Sequence, residues 1–396
     1  MRIAFLILLI ACIYTNAAFG QAVFREREIF PLQEKHVHSS SIVECANGDL
    51  LACWFHGSGE RKANDVKVQG ARLKKNADAW SSVFIMADTP GLPDCNPVLF
   101  IDNQKRLWLF WMVVQANRWE TSILKYRLST DFEGDGVPKW TWQDIIILQP
   151  GDAFATTVEQ VYKQLEPEEP IWAEYAPSYT RMLIEAAKDS RKRQTGWMTR
   201  SHPLILPSGR ILLPLYSDGF NFSLVARSDD SGETWHPGQP IIGFGPIQPS
   251  IVRKNDGSLV AYMRDAGDAP YRVLMSISAD DGLTWSPAID TDILNPGSSL
   301  EVIRLKDGRW AMVYNDTEDG RHSMAIALSD DEGESWKWKR HIGRANKSEK
   351  SYAYPSLIQA KDGLLHLSYS YRGTDRKTIK HVVLNPDWIM QTGNNY

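Results

Sequence analysis

The chain has 396 residues, 23% of them charged, and a formal net charge of −4. That length fits one large repeat-built domain or two ordinary ones, and so weak a net charge argues against a polyanion-binding surface, so nucleic acid is not an expected partner. Aromatic residues make up 11% of the chain, with 15 Trp. Such a surplus suits wedges between repeated units, and also platforms for sugars.

Residues 1–20 have the form of a signal peptide: Met1-Arg2, an apolar run from Ile3 to about Tyr14, and small residues ending Ala18-Phe19-Gly20. The expected location is therefore secreted or periplasmic. Lipoprotein anchoring at Cys12, in Leu9-Ile10-Ala11-Cys12, is the second reading. Nothing later is long and apolar enough to be expected to span a bilayer. Beyond the leader remain Cys45, Cys53 and Cys95. They are too few for a disulfide framework, and no Cys/His spacing suggests a metal; neither metal nor organic cofactor is expected.

From residue 21 onward one motif recurs: a strand, a tight turn and a second apolar strand. The turns lie in NGDLLACW (Asn47), DNQKRLWLFW (Asp102), PSGRILLPLY (Pro207), NDGSLVAYMR (Asn255), KDGRWAMVYND (Lys306) and KDGLLHLSYSY (Lys361). Asn-Gly and Asp-Gly between apolar runs mark hairpins. Between the second and third units, about 152–195, VEQVYKQL and MLIEAAKDSRKR have helical spacing. This segment is too short for a core of its own and reads as an insertion.

A second repeat occupies the later units: SDDSGETW (Ser228–Trp235), SADDGLTW (Ser278–Trp285) and SDDEGESW (Ser329–Trp336), their starts 50 and 51 residues apart. Arg72–Trp80 and Ser129–Trp142 read as degenerate copies. A fixed period of this size signals a solenoid, propeller or array. The reading is all-β: a six-bladed β-propeller of four-stranded blades over 21–396, with a helical insertion between blades two and three. The last unit lacks a final strand, which residues 22–30 are expected to supply, protecting the edges.

In such a fold the starts of first strands and the ends of second strands share one face, and the SxDxGx(T/S)W turns lie on the other. First-strand starts place His38, Asn96, His202, Gln248, Ser299 and Tyr354 at the axis. Second-strand ends add His56 to Asp65, Arg118, Asp218, Arg264-Asp265, Asn315-Asp316 with Arg321, and Arg372. Convergent polar groups of this kind are a default active-site hypothesis.

The octapeptides resemble the Asp-box of the sialidase (neuraminidase) superfamily. That resemblance implies a six-bladed propeller holding an anionic sugar with three arginines, a Tyr nucleophile activated by a Glu, and an Asp acid/base. Arg264 and Arg321 match two of the arginines, and Tyr354 in SYAYPSL matches the nucleophile. Two positions depart. His38 stands where the first arginine is expected, and Gln248, 16 residues before Arg264, stands where the Glu is expected; an amide cannot serve as a base. The acid/base maps to GSGERKAND, where Asp65 and Glu60 both qualify, Asp65 being the choice. His38 is the expected proton carrier, titrating at about pH 5–8.

The expected function is a sialidase-like exo-glycosidase acting on a terminal acidic sugar of a glycan. Tyr354, His38 and Asp65 would be catalytic, and Arg264, Arg321, Gln248, His202, Asn96 and Arg372 substrate-binding. The alternatives are a polysaccharide lyase or α-L-rhamnosidase acting next to a uronic acid, and a non-catalytic carbohydrate-binding propeller.

Overall fold

The computed structural model describes residues 21–165 and 178–391; the leader expected at 1–20, Cys12 included, lies outside them. Six antiparallel sheets of the expected blade type form the molecule. The first is built by 36–44, 50–57, 67–73 and 84–87, and the second by 94–101, 107–113, 123–129 and 142–146. In the third the inner strand is split into 198–199 and 204–205, both paired with 211–217, before 222–228 and 236–241. The fourth to sixth sheets begin at Pro246, Glu301 and Ser351. The sixth takes its fourth strand from the other end of the chain: Phe24–Glu28 pairs with 380–384, Phe24 opposite Leu384 and Glu28 opposite Lys380. Phe24 also stacks on Trp388, ring centroids 4.5 Å apart. Ring closure thus covers backbone groups that an open edge would expose.

The recurrent octapeptide is a hydrogen-bonded knot. In the copy at 228–235, Ser228 Oγ donates to Asp230 Oδ1 (2.7 Å) and accepts from Gly232 N (2.7 Å), while Thr234 donates from N (2.9 Å) and Oγ1 (2.5 Å) to the same carboxylate. The same bonds recur around Asp280 and Asp331. Gly232 sits at φ +90, and a Cβ there would lie 2.5 Å from the buried Trp108 ring of the preceding blade. Trp235 meets Phe110 of that blade edge-on at 5.9 Å, and Trp336 meets Tyr262 at 6.0 Å. The boxes therefore lock each blade to its neighbour, on the face away from the site. The degenerate copies keep a remnant: Ser129 Oγ donates to Lys139 O and accepts from Asp131 N.

The insertion comprises α1 (Asp152–Leu165), α2 (Tyr179–Lys188) and the short α3 (Ser190–Arg193). Phe154, Val158 and Tyr162 recur at the four-residue spacing that makes one helix face. With Leu183 and Ala187 they join the core of blade three beside Trp197, Phe220 and Phe222. As its length requires, the insertion has no separate core. Among the described residues no helix is long and apolar enough to cross a membrane.

Candidate active site

The inner strands of four blades carry a kink at the same register. Ser39, Asn96, Gln248 and Tyr354 have φ of +58, +45, +57 and +54. The pairing slips there: between His38 and Ser41, Cys95 and Val98, Ile247 and Ser250, and Ala353 and Ser356. Left-handed conformations are costly for such residues and cluster at functional sites. At Gln248 and Tyr354 the kink brings the two side chains together across the axis, 3.1 Å apart.

Tyr354 is the centre of what converges. Its hydroxyl accepts from Gln248 Nε2 at 3.1 Å and from Arg264 Nη1 at 3.2 Å. The Arg321 guanidinium lies 5.3 Å from the ring centroid, and that of Arg200 4.9 Å. His38 packs its ring 4.1 Å from the Tyr354 ring, tilted by 50°. A guanidinium within about 6 Å of an aromatic face is attracted to it. Arg321 is held from below by donating Nη2 to Gly297 O at 3.1 Å.

Beneath this layer lies a buried charged tie. Arg200 is 3% exposed and donates to Ser40 O and Pro355 O. Glu301 accepts from His202 Nδ1 (2.7 Å) and from Leu357 N (2.6 Å), and His202 Nε2 reaches Ile42 O at 3.1 Å. Burial would raise the Glu301 carboxyl, but His202, Arg200 and the Leu357 amide outweigh it and hold it below its ordinary value. A buried charge needs such pairing. The layer joins blades one, three, five and six under the site.

Two carboxylates face the mouth with opposite tendencies. Burial works to raise Glu60, but His36, His38 and Arg321 prevail and bring its pKa to about 2. His36 Nε2 lies 3.0 Å from Glu60 Oε1. Asp218 follows the end of a second strand at the rim and is exposed; desolvation by its surroundings raises its pKa, against the pull of Arg264 and Arg61 and aided by Glu120 and Glu60. Burial pushes the His38 imidazole well below its ordinary value, with Glu60 opposing and Arg321, His36 and Arg200 adding to the fall.

The BNR repeat-like domain model matches residues 48–199 and 195–367, which together span most of the chain and reach into all six blades. The chain belongs to the BNR repeat-like domain family. A curated relative is an anhydrosialidase of Macrobdella decora, 28% identical over 182 residues, a match covering 41% of this chain and 23% of that protein. The chain thus spans under a quarter of that relative's length. The fold resembles an intramolecular trans-sialidase from Ruminococcus gnavus (TM-score 0.65, 15% identity, 90% of this chain and 96% of that one). It also resembles a Dyadobacter fermentans protein of unknown function (0.66, 16%, 91% and 99%) and a Streptococcus pneumoniae sialidase (0.66, 12%, 90% and 70%). At these identities the likeness is one of fold.

Against the sequence expectations for this BNR repeat-like chain, the structure brings Tyr354, Arg264, Arg321, Gln248 and His38 together. It does not bring Asp65 to them. That carboxylate is half-exposed, accepting from Ser58 N (2.9 Å) and Oγ (2.6 Å) and from Lys35 Nζ (3.1 Å); these bonds hold it far below its ordinary value as a clasp of its own loop. Glu60 is the member of that loop that reaches the centre. For His38, expected to titrate at about pH 5–8, burial is the largest influence and pushes the imidazole well below its ordinary value.

His202 sits in the tie below, held by Glu301. Asn96 is 5% exposed and donates to the Tyr216 hydroxyl at 3.0 Å, positioning that ring beside the site. Arg372 is exposed at the rim, opposite Ser351. Sequence reasoning missed Arg200, Tyr216 and Glu301. The signal was thin: an Arg just before the Ser-His-Pro that opens blade three. Among the described residues no cluster of three or more His, Cys, Asp or Glu could hold a metal ion.

Proposed function

We propose that this BNR-repeat propeller is a sialidase-type exo-glycosidase that releases a terminal acidic sugar from glycans, acting outside the cytoplasm. The observation that carries the reading is Tyr354, kinked into the mouth and surrounded by Arg264, Arg321, Arg200 and His38. The names of the anhydrosialidase relative and of the sialidases sharing the fold support it.

Arg264 and Arg321 would clamp the sugar's carboxylate, for which planar bidentate donors suit best. Tyr354 Oη would attack the anomeric carbon as the bond to the leaving oxygen breaks, its proton passing to Glu60; water, giving its proton to the ionised Asp218, would then cleave the glycosyl–tyrosine bond, and the proton held by Glu60 would return to Tyr354. In place of a paired carboxylate, the guanidinium groups supply the positive field that favours negative charge on that oxygen. Two carboxyls whose environments push their pKa values apart suggest the acid and base roles. Glu60, held ionised, would accept a proton; Asp218, raised, would give one to the leaving oxygen. Binding energy spent at the arginines orients the reacting carbon.

A lyase acting next to a uronic acid is the second reading, favoured by one observation: Gln248 stands where a base is expected. A digest of a mixed glycan library read by mass spectrometry separates the two. Release of a free or anhydro acidic sugar supports the glycosidase. An unsaturated uronate product overturns it, and saturable binding with no product overturns both in favour of a binding module.

A further inference from the structure

A cavity of about 780 Å³ lies beside the mouth, between the helical insertion and blade four. Its lining runs from Asn221, just after the second strand of blade three, and Asp265–Pro270, at and after the end of that of blade four, to Asp290 on the fourth strand of blade four. Its aromatic wall is Phe244 and Tyr179, 49% and 53% exposed. Tyr162 stands behind Phe244 with ring centroids 6.4 Å apart and donates its hydroxyl to Gly243 O, fixing the wall. Part of the floor is bare backbone: a Cβ on Gly245 would lie 2.2 Å from Gly267 N.

Two features define the occupant. Half-exposed rings beside side-chain carboxylates and an amide are the chemistry that holds a pyranose, with apolar ring faces on the aromatics and hydroxyls on Asp268, Asp290 and Asn221. The charge is opposite to that of the mouth. Asp265 is buried, accepting from Gly267 N and Arg272 N, and burial together with Asp290 and Asp268 raises its carboxyl. An acidic sugar is disfavoured here and a neutral one is not. The groove adjoins the arginine site through Gly297: its carbonyl accepts from Arg321, and a Cβ there would lie 3.3 Å from Asp265 O and 3.9 Å from Arg264 Nη2.

We infer that this groove binds the neutral sugars next to the scissile linkage, so that the insertion selects the glycan chain while the mouth selects its acidic end. The inference rests on the reading of the mouth as a glycosidase site. Its test compares 3′-sialyllactose with a 4-methylumbelliferyl sialoside, whose activated leaving group reacts without help from further sugars. Phe244→Ala and Thr180→Trp, the second filling the groove from α2, should each lower the ratio of kcat/KM between the two substrates at least tenfold. An unchanged ratio overturns the groove. Direct binding separates this from failure of the mouth reading: saturation-transfer NMR with lactose, cellobiose and diacetylchitobiose. A signal from any of them in wild type and in Arg264→Lys, lost in Thr180→Trp, supports the groove even where neither sialoside is cleaved. No signal from the three, or one that survives Thr180→Trp, overturns it.

Discussion

The side-chain amide of Gln248 donates to the hydroxyl of Tyr354 across 3.1 Å, although the two residues sit on blades four and six. Both are at the same kinked register of their inner strands, with φ of +57 and +54. A neutral amide therefore occupies the position from which a carboxylate would draw the proton of Tyr354. Removing the hydroxyl alone is the sharpest test of Tyr354. Tyr354→Phe keeps the ring against His38 and the arginines and should leave the melting temperature within a few degrees. Turnover should fall by about 100-fold or more, in line with loss of a covalent nucleophile. Activity within a few-fold of wild type would remove Tyr354 from the chemistry.

Gln248→Glu is expected to act in the other direction. The new carboxylate would lie beside Tyr354 and within reach of Arg264, so its charge is compensated. Cleavage of an activated sialoside should rise about tenfold, read as kcat at saturating substrate. A fall would mean that the amide is needed as a donor.

The arginines make a separable prediction. Arg264 reaches the hydroxyl directly, while Arg321 packs over the ring and is anchored by Gly297 O. A charged hydrogen bond contributes about 1.5–3 kcal/mol, and lysine cannot reproduce the bidentate fork. Arg264→Lys and Arg321→Lys should each lower kcat/KM tenfold or more on an anionic substrate. Steady-state kinetics with unchanged far-ultraviolet dichroism would establish this.

The ring of blades was legible because its determinants are local. Tight turns, alternating strands and the hydrogen-bonded octapeptide are short patterns, and the missing last strand followed from counting. Tyr354, Arg264 and Arg321 were found because each lies at a strand start, a strand end or the loop after one, and because the resemblance to the sialidase pattern implies their roles. Arg200 and Glu301 were not, because they lie 101 positions apart and come within electrostatic range only after the ring has closed. Asp65 and Glu60 share one loop, and the sequence could not say which would be tied up by Ser58 and Lys35. The burial that lowers the His38 imidazole likewise comes in part from other blades, Tyr354 among them.

The octapeptide yields a stability prediction. Gly232 lies at φ +90, and an added Cβ would press on the ring of Trp108, which is 2% exposed and cannot give way. Gly232→Ala combines backbone strain with overpacking, so a loss of about 2–4 kcal/mol is expected from denaturant unfolding. Catalytic constants measured well below the transition should be unchanged, since the turn is on the face away from the site.

A buried histidine pair predicts acid sensitivity. His366 Nδ1 and His381 Nε2 are 3.0 Å apart, and the rings stack at 5.2 Å. Burial lowers His366 to about 4 and His381 well below its ordinary value. The unfolded chain then binds more protons than the folded one, so stability is full above about pH 6.5 and falls as pH drops toward 4. The His366 contribution alone is on the order of 3 kcal/mol. His366→Phe keeps the stacking and removes one titration. Its melting temperature should decline less than that of wild type between pH 6.5 and 4.5, as measured by calorimetry, and parallel declines would refute the pair as the cause.

The pH–rate profile tests the assignment of proton carriers. Burial pushes His38 well below its ordinary value, so a limb near pH 6.5 is not expected from it. With Glu60 at about 2, the base is ionised throughout the practical range, and the acidic limb belongs at low pH. Asp218 must be protonated to act as the acid, and its pKa is raised above the ordinary carboxylate value. Activity should therefore fall as pH rises through that raised value, giving a basic limb. Asp218→Asn should abolish this limb and cut kcat by about 100-fold on a natural linkage. It should cost far less on a 4-methylumbelliferyl glycoside, whose leaving group needs little protonation. His38→Ala should reduce the rate without moving either limb. A basic limb that survives in Asp218→Asn but disappears in His38→Ala would return the proton to the histidine.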